Sequence, residues 1–257
     1  MYQFGYRGCH QAKNNEYNSV LSFNRSIRTR EDEFDLMYSP RVKICCISSV
    51  DEARLAVRCG ASAFGLVSDM PSGPGVISEE AIAKIAKIIP PSIGSFLLTS
   101  HQRVKDIIEQ QRRCRVNTIQ ICDRLETGQY DDLRDALPGI SLVQVVHVTG
   151  EESFDEACQI DNTGVDAILL DSGNQKLAVK ELGGTGRSHD WSISRRIREA
   201  VSVPIFLAGG IRPDNVREAL SVVRPFGIDL CTSVRSEGIL DEEKLLSFFA
   251  ALNASVN

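Results

Sequence analysis

A few residues in this sequence are of types that could do chemistry, and each stands at the end of a short apolar run. Asp171 follows Ile168-Leu169-Leu170, and Cys45 follows Val42-Lys43-Ile44. A carboxyl group that is partly buried in a pocket is suited to give up a proton. A thiol is suited to act as a base or a nucleophile if its pKa is lowered. Each also has a plainer reading: Asp171 as a loop or capping carboxylate, Cys45 as a small buried hydrophobe. Two further stretches have the makings of anion sites. Leu207-Ala208-Gly209-Gly210-Ile211 runs from a strand into a glycine turn, where bare backbone N–H groups can approach an anion, although a glycine pair can also be a simple turn. Cys231-Thr232-Ser233-Val234 follows the last apolar run. His147 and His189 read better as structural hydrogen-bonding groups, and Asp190 as a helix cap.

These residues must be positioned by the elements between them. From Val42 onward, short β-branched runs alternate with stretches of helical period. The strands read as Val42–Ile47, Ala63–Val67, Ile93–Thr99, Thr118–Cys122, Leu142–Val148, Ala167–Asp171, Ile205–Ala208 and Ile228–Thr232, with helices between them. Ser78 is a cap candidate for the helix that begins at Glu79. Near-continuously apolar strands suit a parallel sheet covered by helices, and eight βα units suit a closed (β/α)8 TIM barrel over 41–257. In that fold the strand ends and the loops that follow them form the site, and the loops after the seventh and eighth strands commonly bind phosphate. An open dinucleotide-binding sheet would need a Gly-x-Gly-x-x-Gly turn after its first strand, and Cys45-Cys46-Ile47-Ser48-Ser49 is none. Strand alternation predicts that only one of Cys45 and Cys46 faces the interior.

Composition narrows the function further. A net charge of −5 argues against a basic nucleic-acid-binding face, and no apolar stretch is long enough for a membrane span. Eight scattered cysteines with no Cys-x-x-Cys pair suggest neither a zinc site nor a disulfide framework, and fit a reducing, cytoplasmic setting. Residues 1–40 show no sustained period and read as a disordered N-terminal extension. The first thirty of them hold five basic side chains and one acid, Glu16, which leaves a transit segment as the alternative.

Taken in order, several segments resemble the phosphoribosylanthranilate isomerase family. Val42-Lys43-Ile44-Cys45 is similar to its Lys-Ile-Cys-Gly signature, and Leu169-Leu170-Asp171-Ser172 to its Leu-Leu-Asp segment. The nine residues Gly183-Gly184-Thr185-Gly186-Arg187-Ser188-His189-Asp190-Trp191 resemble its glycine loop and are the most specific match. Leu207-Ala208-Gly209-Gly210-Ile211, Pro213-Asp214-Asn215-Val216 and the approach to Ile228-Asp229 extend the likeness. The resemblance implies an Amadori rearrangement in tryptophan biosynthesis, with Asp171 as general acid and Cys45 as general base. It implies substrate and phosphate contacts at Gly183, Gly184, Gly186, Arg187, Gly209, Gly210, Thr232 and Ser233. It further implies a small phosphorylated substrate, no metal or organic cofactor, and a monomer or homodimer.

This sequence departs from the family pattern in four places. Cys46 replaces a glycine, and Gly75 stands where an arginine that binds the anthranilate carboxylate is expected. The fourth strand ends Gln120-Ile121-Cys122-Asp123, and the last loop carries Arg235 in place of a glutamate. Arg187 and Arg235 are the cations expected to compensate for the missing arginine. The departures also motivate a competing expectation, a divergent barrel that binds or isomerises a different phosphorylated sugar.

Overall fold

The computed structural model describes residues 40–256. The expected extension lies outside the described residues, apart from Pro40. Eight parallel strands form a closed barrel in sequential order. They are β1 (Arg41–Ile44), β2 (Ala63–Val67), β3 (Gly94–Thr99), β4 (Thr118–Ile121), β5 (Ser141–His147), β6 (Ala167–Asp171), β7 (Ile205–Leu207) and β8 (Gly227–Leu230). Helices α1 (Val50–Cys59), α2 (Glu79–Ala86), α3 (Val104–Cys114), α4 (Tyr130–Ala136), α5 (Glu152–Asp161), α6 (Trp191–Ala200), α7 (Val216–Val223) and α8 (Glu242–Val256) follow the strands in turn. β2 and β6 have the bounds read from the sequence, while β1, β4, β5, β7 and β8 end earlier.

The ring closes where β1 meets β8, with Val42 opposite Ile228 and Ile44 opposite Leu230. Local chemistry sets the helix starts. Ser78 accepts a hydrogen bond from the Ala81 N–H, and Asp190 accepts one from the Ser192 N–H at 2.8 Å, so both act as the caps expected of them. Asp241, just before α8, accepts from the Lys244 N–H. One apolar layer lies between strands and helices, as where Ile119, Ile121 and Leu142 meet Val104, Ile107 and Leu133. A second fills the barrel, from Phe96, Val143, Ala167 and Phe206 up to Cys45, Cys122 and Ala208. Among the described residues no helix is long and apolar enough to cross a membrane.

The barrel interior also holds a charge pair. Lys43 is fully buried, donates to Asp229 at 2.8 Å, and lies over the Phe96 ring. Burial disfavours the Lys43 ammonium, but Asp229 more than offsets this, so the Lys43 pKa rises. Burial likewise pushes the Asp229 carboxyl up, to about 8, against the pull of Lys43. A pair this close in a dry interior behaves as one titrating unit. Asp229 also borders the cleft at the carboxyl ends of the strands.

Candidate active site

A cleft opens at the carboxyl ends of the strands, where this fold places its sites. It is lined by Cys45, Asp171, Gly183, Gly184, Gly186, Gly209, Gly210, Thr232 and Ser233. Nine of the ten residues expected from the sequence therefore meet in one place. Arg187 is the exception. Its guanidinium is exposed and paired with Glu181, and it borders a separate surface depression beside His189. Arg187 does not line the cleft, and a carboxylate six residues back along the same loop engages its cation.

Asp171 ends β6 and is buried. Its Oδ1 accepts a hydrogen bond from the Ser172 N–H at 2.7 Å. Its Oδ2 is turned toward Gly183, where an added Cβ would lie 2.8 Å away. Gly183 also has φ +137°, which favours glycine, so a side chain there would both strain the backbone and cover the carboxyl. The loop that carries it is held from three sides. Thr185 Oγ1 and Ser172 Oγ are 2.6 Å apart, Gly184 abuts Pro74 of the loop after β2, and Gly186 abuts Thr232 of the loop after β8. Ser72 ties the β2 loop to this one by donating to the Lys180 carbonyl.

The glycine turn after β7 is shaped by the same loop, with Ser188 packed against Gly210 and the Arg187 carbonyl against Gly209. Among the described residues, the N–H groups of Gly209 and Gly210 meet no backbone acceptor. Thr232 and Ser233 begin a one-turn 3-10 helix (Thr232–Val234), whose first N–H groups have no partner within it. The two turns stand side by side because β7 and β8 are neighbours. Together they offer an anion several free backbone donors.

The thiols depart from the alternation rule. Cys45 and Cys46 lie just past the end of β1, and both line the cleft. Cys46 has φ +63°, which swings its side chain to the same side as that of Cys45. Cys231 joins them from the end of β8. Its Sγ is 2.9 Å from Cys46 Sγ, which in turn is 3.8 Å from Cys45 Sγ. Hydrogen bonds from the Cys45 and Cys46 thiols hold Cys231 down, to about 4, while its hydrogen bond to Cys231 and burial push Cys45 up. Cys231 is the most exposed of the three thiols and the one whose pKa is lowered. Cys46 and Cys231 stand at strand ends in the sequence, but neither was expected to join Cys45 in a thiol cluster.

Arg235 is not a substrate cation. It is buried, pairs with Glu52 at 3.0 Å, and donates to the carbonyls of Cys45 and Cys46 at 3.0 and 2.6 Å. It braces the β1 loop from behind. Glu52 also accepts from the N–H groups of Ser48 and Leu240. Asp123 is neutralised by Lys180 at 2.6 Å, and His147 is buried with Nε2 3.0 Å from the Cys122 carbonyl, a structural role as read. No lysine or arginine among the described residues lines the cleft. Gly75 accounts for part of this: a Cβ there would lie 2.4 Å from Cys46 Cβ, so the β1 cysteine fills the space that a side chain at position 75 would need.

Carboxylates, thiols and free backbone donors at this end of a closed barrel mark an acid–base enzyme of small anionic molecules. The comparisons give the particular family. Residues 42–251 match PRAI, described as N-(5'phosphoribosyl)anthranilate (PRA) isomerase. N-(5'-phosphoribosyl)anthranilate isomerase 2 of Methanosarcina mazei is 35% identical over 210 residues, 81% of this chain and 92% of that protein. The phosphoribosyl anthranilate isomerase of Thermotoga maritima is 27% identical with a TM-score of 0.68, covering 84% of this chain and 99% of that one. A phosphoribosyl anthranilate isomerase solved in complex with reduced 1-(o-carboxyphenylamino)-1-deoxyribulose 5-phosphate gives 25% identity and a TM-score of 0.66 over 84% of this chain and 99% of that one. The chain belongs to the N-(5'-phosphoribosyl)anthranilate isomerase family, and is an isomerase of tryptophan biosynthesis.

Proposed function

We propose that this cleft converts N-(5'-phosphoribosyl)anthranilate to the carboxyphenylamino-deoxyribulose phosphate, with Asp171 as general acid and Cys45 as general base. Ring opening needs a proton delivered to the ribose ring oxygen, and the following step needs the C2′ proton removed from the imine. The observation that carries the reading is the Asp171 carboxyl. One oxygen is fixed by the Ser172 N–H, and the other faces the cleft over Gly183. To act as a base, Cys45 first passes its own proton along the cluster through Cys46 toward Cys231, after which its sulfur accepts the C2′ proton. The phosphate rests on the N–H groups of Gly209, Gly210, Thr232 and Ser233, with Gly183, Gly184 and Gly186 closing the loop above the sugar. The free cysteines suit a reducing cytoplasm.

Complementation of a tryptophan auxotroph lacking this isomerase tests the proposal, and growth is expected. With purified protein, Asp171→Asn and Cys45→Ser should each lower kcat by roughly 10²- to 10⁴-fold, the usual range for a general acid or base. A well-folded, well-expressed chain that fails to complement refutes the assignment, and so does full turnover in either variant.

The lack of a lining cation favours a second reading, a barrel for a phosphorylated sugar without the anthranilate carboxylate. Calorimetry with ribose phosphates and with the reduced carboxyphenylaminodeoxyribulose phosphate separates the two. Binding of the simple phosphosugar alone favours the second.

A further inference from the structure

Cys46 and Cys231 are two further cleft thiols, neither of which is itself the acid or the base that meets substrate. Cys46 occupies a left-handed backbone conformation, φ +63°, that an L side chain adopts only under strain. What that conformation achieves is a sulfur 2.9 Å from that of Cys231. The barrel seam sets the approach. Ile44 is in register with Leu230, and the Cys45 N–H donates to the Leu230 carbonyl at 2.7 Å, so the two chain segments leave the sheet side by side. A disulfide needs about 2.05 Å between sulfurs, so the pair must close by about 0.9 Å. Cys231 is half-buried and opens on the cleft, which admits a small oxidant.

We propose that Cys46 and Cys231 are an oxidisable dithiol that a hydroperoxide converts to a disulfide, reversibly shutting down the isomerase cleft. The Cys231 thiolate attacks one oxygen of the peroxide. An S–O bond forms, the O–O bond breaks, and the departing oxygen takes its electron pair and a proton to leave as water or an alcohol. The Cys46 sulfur then gives up its proton and attacks Cys231 Sγ. The S–S bond forms, the S–O bond breaks, and the hydroxyl leaves with that proton as water. Two thiols lose two electrons and the peroxide gains them. A dithiol reductant reverses the step by exchange and is itself oxidised. The low-lying Cys231 thiol suits the first attack. The disulfide would deprive Cys45 of both thiol partners and tie its loop to the one carrying Thr232 and Ser233. This loss of activity rests on the isomerase reading of the cleft, but the oxidation itself does not.

The test treats the full chain with graded hydrogen peroxide, blocks free thiols with iodoacetamide, and digests with trypsin for mass spectrometry. The expected product joins peptide 44–54 to peptide 218–235 at two hydrogens below their summed mass, and dithiothreitol abolishes it. Isomerase turnover should fall in proportion to the linked fraction and return on reduction. Because 44–54 holds both β1 cysteines, Cys45→Ser should retain the link and Cys46→Ser should lose it. The reverse pattern overturns the proposal, as does peroxide carrying Cys231 to the sulfinic acid with no link formed. Unchanged turnover in fully linked protein also overturns it. A link that forms in a protein inactive even when reduced supports the oxidation site and counts only against the isomerase reading.

Discussion

Gly75 and Cys46 should be energetically coupled, and a double-mutant cycle measures the coupling. In Gly75→Ala the new Cβ would stand 2.4 Å from Cys46 Cβ and 2.9 Å from its Sγ. Position 75 also has φ +79°. The positive φ costs a non-glycine residue roughly 1–2 kcal/mol, and overpacking adds typically about 1–3 kcal/mol, so the single change should cost about 2–5 kcal/mol. In a Cys46→Gly background both offending atoms are gone, and the closest remaining contact is the residue 46 Cα at 3.0 Å. There Gly75→Ala should cost only the backbone part, about 1–2 kcal/mol, leaving a coupling of about 1–3 kcal/mol. Urea unfolding followed by circular dichroism gives all four stabilities, provided the m-value stays constant. Additivity to within about 0.5 kcal/mol would refute the steric link between the two positions. The same logic extends to binding. Adding Gly75→Arg to Cys46→Gly restores the pair that the family pattern shows. A charge-assisted bond worth about 1.5–3 kcal/mol should then tighten binding of the reduced product analogue by roughly 10- to 100-fold.

Two further predictions concern groups around the site. Glu52→Ala leaves the Arg235 charge buried without its carboxylate, so stability should fall by about 3–5 kcal/mol, read from the urea midpoint; a loss under about 1 kcal/mol would show that the carbonyls of Cys45 and Cys46 suffice to hold the guanidinium. His189 is held down by burial, to about 4 against an ordinary 6.5, with Nε2 2.7 Å from Ser194 Oγ. Between those values the unfolded chain binds the proton and the folded one does not, so this contribution is complete above pH 6.5 and is lost as pH falls toward 4. The expected decline approaches about 1.4 kcal/mol per pH unit within that window, and His189→Asn should flatten it. An unchanged slope in that variant would assign the acid sensitivity to other groups.

The barrel, and the gathering of most candidate site residues at its mouth, were legible in local sequence patterns. Alternating apolar runs and helical periods are local properties, so the eight βα units, the caps at Ser78 and Asp190 and the end of β6 at Asp171 could be read in place. A catalytic group at a strand end is legible for the same reason, since the fold puts every strand end at one mouth. Long-range pairing was not legible. Lys43 meets Asp229 across 186 residues only because β1 and β8 close the ring. Arg235 is drawn inward by Glu52 and two carbonyls rather than facing substrate, and Arg187 is claimed by Glu181. The alternation rule failed at Cys46 because β1 ends at Ile44, and a residue beyond the ladder at φ +63° is no longer bound by its pleat. Which ionisable groups neutralise one another, and which thiols face one another, depends on distances that exist only after the barrel closes.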